Sequence, residues 1–146
     1  VVKMDSVENT LLLEGAEFLL EGPAGFVPQT LTTDVNGAAS LGDLYPGDYV
    51  LTETKPPRGY HPQPDDAKWE FTVGPGEKKQ HYEFEIENDI IGSVSVVKMD
   101  SVENTLLLEG AEFKLTGPKD FEDVQFTDED GKIAWENLYP GEYTLT

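Results

Sequence analysis

The sequence predicts an all-β protein: a small immunoglobulin-like β-sandwich arranged as a tandem repeat whose second copy is truncated. Three observations predict it. An 18-residue segment recurs unchanged, short alternating segments are separated by Gly, Pro, Asn and Asp, and no stretch sustains a helical period beyond about one turn.

The repeat comes first. Val1 to Phe18, VVKMDSVENTLLLEGAEF, returns as Val96 to Phe113, a shift of 95 residues. The copies then diverge but keep landmarks: Gly22-Pro23 against Gly117-Pro118, Asn36-Gly37 against Asp130-Gly131, and LYPGDYVLT from Leu44 against LYPGEYTLT from Leu138. Such a period is too long for a solenoid and suits an array of whole domains. The expected division is a complete sandwich over 1–92 and the N-terminal half of a second over 93–146, with Asp89-Ile90-Ile91-Gly92 as the joint.

Within the first copy the alternation predicts strands near Val1–Asp5, Ala16–Glu21, Gln29–Thr33, Ala38–Leu41, Asp48–Lys55, Trp69–Val73 and His81–Asn88. Seven short strands in about 90 residues fit a small sandwich with Greek-key-like connections. Asn36-Gly37 and Asp130-Gly131 supply the positive φ that tight turns require, so the aspartates there read as turn formers rather than calcium ligands. His61 and His81 stand alone, without a second ligand at metal spacing, and read as surface or loop residues.

Composition bounds the function classes. With 38% hydrophobic residues the chain can bury a core. The formal charge of −19 repels phosphate backbones and anionic lipids, so neither nucleic acid nor membrane insertion is expected. The acidity is dispersed and reads as a solvated surface. Without cysteine there are no disulfides and no thiolate chemistry, so covalent reinforcement must use other groups. No metal or cofactor is expected. The opening Val1-Val2-Lys3-Met4-Asp5 has no apolar signal core, and both ends read as cuts through a longer protein.

Side chains alternate across a strand, so each inward face is read from every second residue. Three faces carry a polar group among apolar ones. Lys3 follows Val1, and in the second copy Lys98 follows Val94 and Val96; Glu53 follows Tyr49 and Leu51; Asn88 follows Tyr82, Phe84 and Ile86. Burying such groups separately costs several kcal/mol each. One reading places them at strand ends, where the lysine snorkels to solvent. The other brings them together. Desolvation then favours a neutral amine and a neutral acid, and an amine beside a carboxamide is an acyl-transfer pair. Glu53 would polarise the Asn88 carbonyl and shuttle protons from the amine to departing ammonia. Fixed strands would supply the effective molarity, and the product is a Lys3–Asn88 amide.

These residues and their surroundings resemble the collagen-adhesin B-type domain, also called CnaB or SpaA-like, with a prealbumin-like fold, of Gram-positive surface adhesins and pilins. The matching segments are VVKMD, LEGAEFLLEG, TTDVNGAASLGDLYPGDYVLTETKPPRGY, and EFEIEN followed by GSVSVVKMD. The resemblance implies an autocatalytic isopeptide bond between Lys3 and Asn88, with Glu53 as its catalytic group. It implies a stalk or spacer module of an extracellular, cell-wall-attached protein, whose partners are neighbouring repeats and which turns over no external substrate. A ligand-binding module for a host surface protein or glycan is the alternative, with Tyr45, Tyr60, Trp69 and Trp135 as candidate aromatic contacts, although each reads more readily as core or turn packing. The chain departs from the pattern in its second copy. Lys98 has neither a glutamate nor an asparagine counterpart, since the sequence stops at Thr146. Neither an LPxTG-like sorting signal nor a YPKN pilin motif is present.

Overall fold

The computed structural model describes residues 1–76 and 80–146. Its described residues form strands and turns without helix, in two compact units, Val1–Ile90 and Ile91–Thr146.

In the first unit, β1 (Val2–Asp5), β2 (Glu17–Glu21), β3 (Gln29–Thr32), β4 (Gly47–Lys55), β5 (Trp69–Val73) and β6 (Glu85–Asn88) form two sheets. Four strands pair antiparallel in the order β3-β2-β4-β5, while β1 pairs with β6 in parallel. A parallel pair needs a long crossover, and here the whole four-stranded sheet lies between its two members in sequence. The inward residues Phe18 and Leu20 of β2, Tyr49 and Leu51 of β4 and Ile86 of β6 join Ala16 in one buried core. Aromatic rings extend it, with Phe71 stacked on Tyr49 at 5.3 Å and Trp69 edge-on to Phe18 at 6.3 Å.

Two predicted strands differ from the structure. His81–Phe84 lies outside any strand, and Tyr82 is partly exposed against Phe71 rather than inward. Ala38–Leu41 makes only a bridge, Val2 to Ala38, beside reciprocal backbone bonds between Val1 and Ala39. Sheet ladders need partners along their length, and in this unit the segment pairs only with Val1 and Val2.

The second unit shows the contrast. It contains β7 (Gly92–Val97), β8 (Glu112–Gly117), β9 (Phe121–Phe126), β10 (Lys132–Leu138) and β11 (Thr144–Leu145). The counterpart of Ala38–Leu41 lies in β10, paired along β7 from Lys132↔Val97 to Leu138↔Gly92. Leu115, Ile133, Trp135 and Leu138 form this unit's core.

Gly37 sits where the turn passes behind β1. Its φ is +66°, its carbonyl accepts from the Lys3 amide, and a Cβ there would lie 2.5 Å from the Lys3 carbonyl oxygen. Neither the conformation nor the space suits a side chain. Gly37→Ala is therefore expected to destabilise the first unit by about 1–3 kcal/mol. The check is the urea midpoint followed by circular dichroism; an unchanged midpoint would contradict it.

Candidate functional site

β1 carries Lys3 into the first unit's interior. β6 flanks it on one side; on the other, Lys3 donates its amide to Gly37, and its carbonyl accepts from Leu13. Register pairs Lys3 with Ile86 and Asp5 with Asn88, so Lys3 and Asn88 are diagonal neighbours on one face of a parallel pair. The Lys3 side chain is 0% exposed, and its Nζ donates to the Ile86 carbonyl at 2.7 Å. Loss of water lowers its pKa to about 8, against the opposing pull of the Glu53 and Glu87 charges.

Glu53 comes from the opposite sheet. It follows Tyr49 and Leu51 on the inward face of β4, and the β2–β4 register shifts beside it, from Phe18↔Glu53 to Glu17↔Lys55. Thr54 is thus an extra residue, a bulge of the kind that re-aims a neighbouring side chain. The Glu53 side chain is 1% exposed, with Oε1 4.0 Å from Lys3 Nζ. Its Oε2 accepts from Asn88 Nδ2 at 2.9 Å and from the Gln63 amide at 3.3 Å. Desolvation raises its pKa, and the Asn88 and Gln63 hydrogen bonds and the lysine charge only partly offset that.

Asn88 completes the cluster. Its Nδ2 also donates to the His61 carbonyl at 2.8 Å. Asn88 Oδ1 and Glu53 Oε1 are buried without a hydrogen-bond partner. Sequence reasoning expects Glu53 at the carboxamide oxygen; the structure puts it at the nitrogen. The cause is the His61 carbonyl, which can only accept and so turns the N–H₂ toward itself and Glu53. One carboxyl group thereby stands between an amine and the nitrogen that acyl transfer would expel.

Lys3, Glu53 and Asn88 are thus brought together, and the strand-end alternative for Lys3 fails because its side chain has no solvent contact. Lys98 is different. Val94 and Val96 alternate inward as expected, but Lys98 is exposed, although Val96 to Phe113 repeats Val1 to Phe18 unchanged. The elements that cover Lys3, the end of β4 and all of β6, have no counterpart in 91–146.

His61 lies in a loop, as expected, but not at the surface: it is 8% exposed, and its main chain joins the site. Of the aromatic candidates, Trp69 packs on Phe18, and Trp135 is buried with its N–H on Asp123. Tyr60 meets Asp5. Tyr45 stands exposed at 77%. The contributions of His61 and Gln63 were missed because they are main-chain groups, which no residue type announces. The run of prolines from Pro56 to Pro64 was the available signal, since it marks a stiff segment rather than a loose loop.

The two-sheet β architecture, with its parallel first and last strands, is that of a prealbumin-like sandwich. The sequence profile of the SpaA prealbumin-like fold domain matches residues 1–90 and again 92–146. The chain belongs to this family. Among solved structures it is similar to the Bacillus anthracis TIE protein, at 29% identity and a TM-score of 0.55, covering 98% of this chain and 26% of that one. It is also similar to a streptococcal ancillary pilin, at 26% identity and a TM-score of 0.50, covering 99% of this chain and 50% of the other. Colossin-A of Dictyostelium discoideum is 32% identical over 157 residues, 91% of this chain and 1% of that protein. The chain thus spans from a hundredth to half of these relatives' lengths.

The buried pair has a pH signature. With the folded amine near pH 8 and the unfolded one at the model-peptide value of about 10.5, the unfolded chain binds more protons across that window. With the amine free, stability should therefore rise with pH from about 8 to about 10.5. Glu53, raised on folding, acts oppositely: its contribution falls as pH rises from its unfolded value toward its folded one. In Asn88→Ala, which retains both groups, the stability deficit relative to Lys3→Met/Asn88→Ala should shrink above pH 8. Denaturant titrations at several pH values measure it, and a constant deficit would contradict the assignment.

Proposed function

We propose that the first unit is a self-locking structural module of a surface adhesin or pilus, stabilised by an amide formed autocatalytically between Lys3 Nζ and Asn88 Cγ. The observation that carries this reading is the carboxyl of Glu53 placed between the buried amine and the carboxamide nitrogen. Neutral Lys3 attacks Asn88 Cγ, the C–Nδ2 bond breaks, and ammonia leaves. Glu53 relays one proton from the amine to the leaving nitrogen and returns to its starting state. No external substrate and no cofactor takes part.

The reactive pairing is neutral amine with neutral acid, which holds the same number of protons as the ion pair. Its population is therefore flat between the two pKa values and falls on either side. A rate limb near pH 8 follows from the lowered amine, with the rate falling at higher pH as the acid's proton is lost.

Lys3 and Asn88 are 85 positions apart. Closing that loop would stabilise the fold by about 4–5 kcal/mol, on the loop-entropy relation used for disulfides. Because the bond joins the first strand to the last, tension applied at the ends of the unit would run through the amide rather than through the sheet. That suits a load-bearing spacer on a cell surface. The pilin among the similar structures favours this setting, with neighbouring repeats of the same protein as partners.

The intact protein should weigh about 17 Da less than its sequence, one ammonia. Glu53→Ala should fold but keep its full mass, and Lys3→Ala should keep its full mass and melt earlier. Full mass in the unaltered protein, or complete cross-linking in Glu53→Ala, would overturn the reading.

A further inference from the structure

We propose that the segment Pro57–Gln63 is a clasp that positions the reacting carboxamide and its acid, and that the Gln63 side chain holds it closed. The proposal rests on the cross-linking reading above and assigns the step a third wall, beside β1/β6 and β4.

The segment is stiff by composition. Pro56, Pro57, Pro62 and Pro64 fix φ, and Gly59 at φ +87° makes the reversal, closed by the Tyr60 amide donating to the Pro57 carbonyl at 3.2 Å. It then runs beside the Asn88 segment. Tyr60 bridges Ile90, the His61 amide donates to the Asp89 carbonyl at 2.8 Å, and Gln63 Nε2 donates to the Glu87 carbonyl. Two of its main-chain groups reach the chemistry. The His61 carbonyl holds Asn88 Nδ2 at 2.8 Å, and the Gln63 amide holds Glu53 Oε2 at 3.3 Å.

These contacts select one of two carboxamide orientations. A carbonyl accepts but cannot donate, so the nitrogen faces His61 and Glu53, and the oxygen faces away. The atom that must leave is thereby held against the acid that protonates it. The Lys3 Nζ–Asn88 Cγ bond forms, the Cγ–Nδ2 bond breaks, Nδ2 departs as ammonia with the proton Glu53 delivers, and Nζ gives one proton back to Glu53. A carboxamide free to turn over would spend part of its time with oxygen toward the His61 carbonyl, a repulsive and unproductive pose.

Main-chain groups cannot be deleted by substitution, but their anchors can. Gln63 is the side chain that ties the segment to Glu87, one residue from Asn88, and Tyr60 ties its other end to the Asp5 carboxylate. Gln63 is therefore a positioning residue rather than a catalytic one.

The test uses the full chain purified in denaturant, so that the pocket has never assembled, and refolded with ammonia loss timed by mass spectrometry and folding timed by circular dichroism. Gln63→Met keeps length and removes the donor. Cross-linking should slow about tenfold while folding proceeds at the unaltered rate, and Gln63→Lys, which donates again to the Glu87 carbonyl, should recover most of the rate. A looser Gln63 amide also withdraws a hydrogen bond that favours the Glu53 carboxylate, so the acid limb of the pH–rate profile should move upward while the limb near pH 8 stays. A purely structural role would move neither limb. Unchanged rate and profile in Gln63→Met would overturn the clasp. Should that variant fail to refold, Tyr60→Phe tests the same clasp from its other anchor, with slowing expected and an unchanged rate contradictory. Absence of ammonia loss in the unaltered chain would instead refute the cross-linking reading itself.

Discussion

A lysine amine without water is the constraint around which the first unit is arranged. Lys3 Nζ has a carbonyl at 2.7 Å and a carboxyl at 4.0 Å, and its side chain has no exposed surface. A buried ammonium with so few partners is costly, and so is a buried carboxylate. Transferring the proton between them removes both charges. The neutral pair that relieves the electrostatic problem is also the pair the proposed acyl transfer would need, so the cost of burial and the proposed chemistry would have one origin. Forming an amide would remove the problem permanently, since neither product group needs to ionise.

The repeated segment shows that this environment is not a local property of sequence. Six of the eighteen repeated residues are buried in the first unit and none in the second: Phe18 is 0% exposed and Phe113 half-buried, Met4 8% and Met99 42%. What differs is the cover. In the first unit β4, β5 and β6 close over the shared segment, and the amine loses its water only through them. Perturbation of Lys3 is thus a tertiary effect that travels with the complete sandwich.

This also marks how far the sequence could be read. Period-two alternation found Lys3, Glu53 and Asn88 because each continues a line of apolar residues, and such lines survive whatever the loops do. The same rule misplaced Lys98, since a face is buried only where a second sheet covers it. It predicted a strand at Ala38–Leu41, where the residues suit a strand but the ladder lacks partners. The bulge at Thr54 and the main-chain contacts from His61 and Gln63 left no mark in residue types. They depend on where backbone groups point, which becomes fixed only once the sheets have packed.

Membership of the SpaA prealbumin-like family fixes the architecture but not the setting, because similar chains occur in a bacterial pilin and in a Dictyostelium protein. The chemistry of the pocket is the more specific statement, and it can be read from covalent connectivity alone. Peptide mapping of the unaltered protein by tandem mass spectrometry tests it most directly. The expected result is a branched fragment in which the β1 peptide is joined through Lys3 to the β6 peptide at Asn88. Two separate linear peptides, with Lys3 and Asn88 both unmodified, would contradict it.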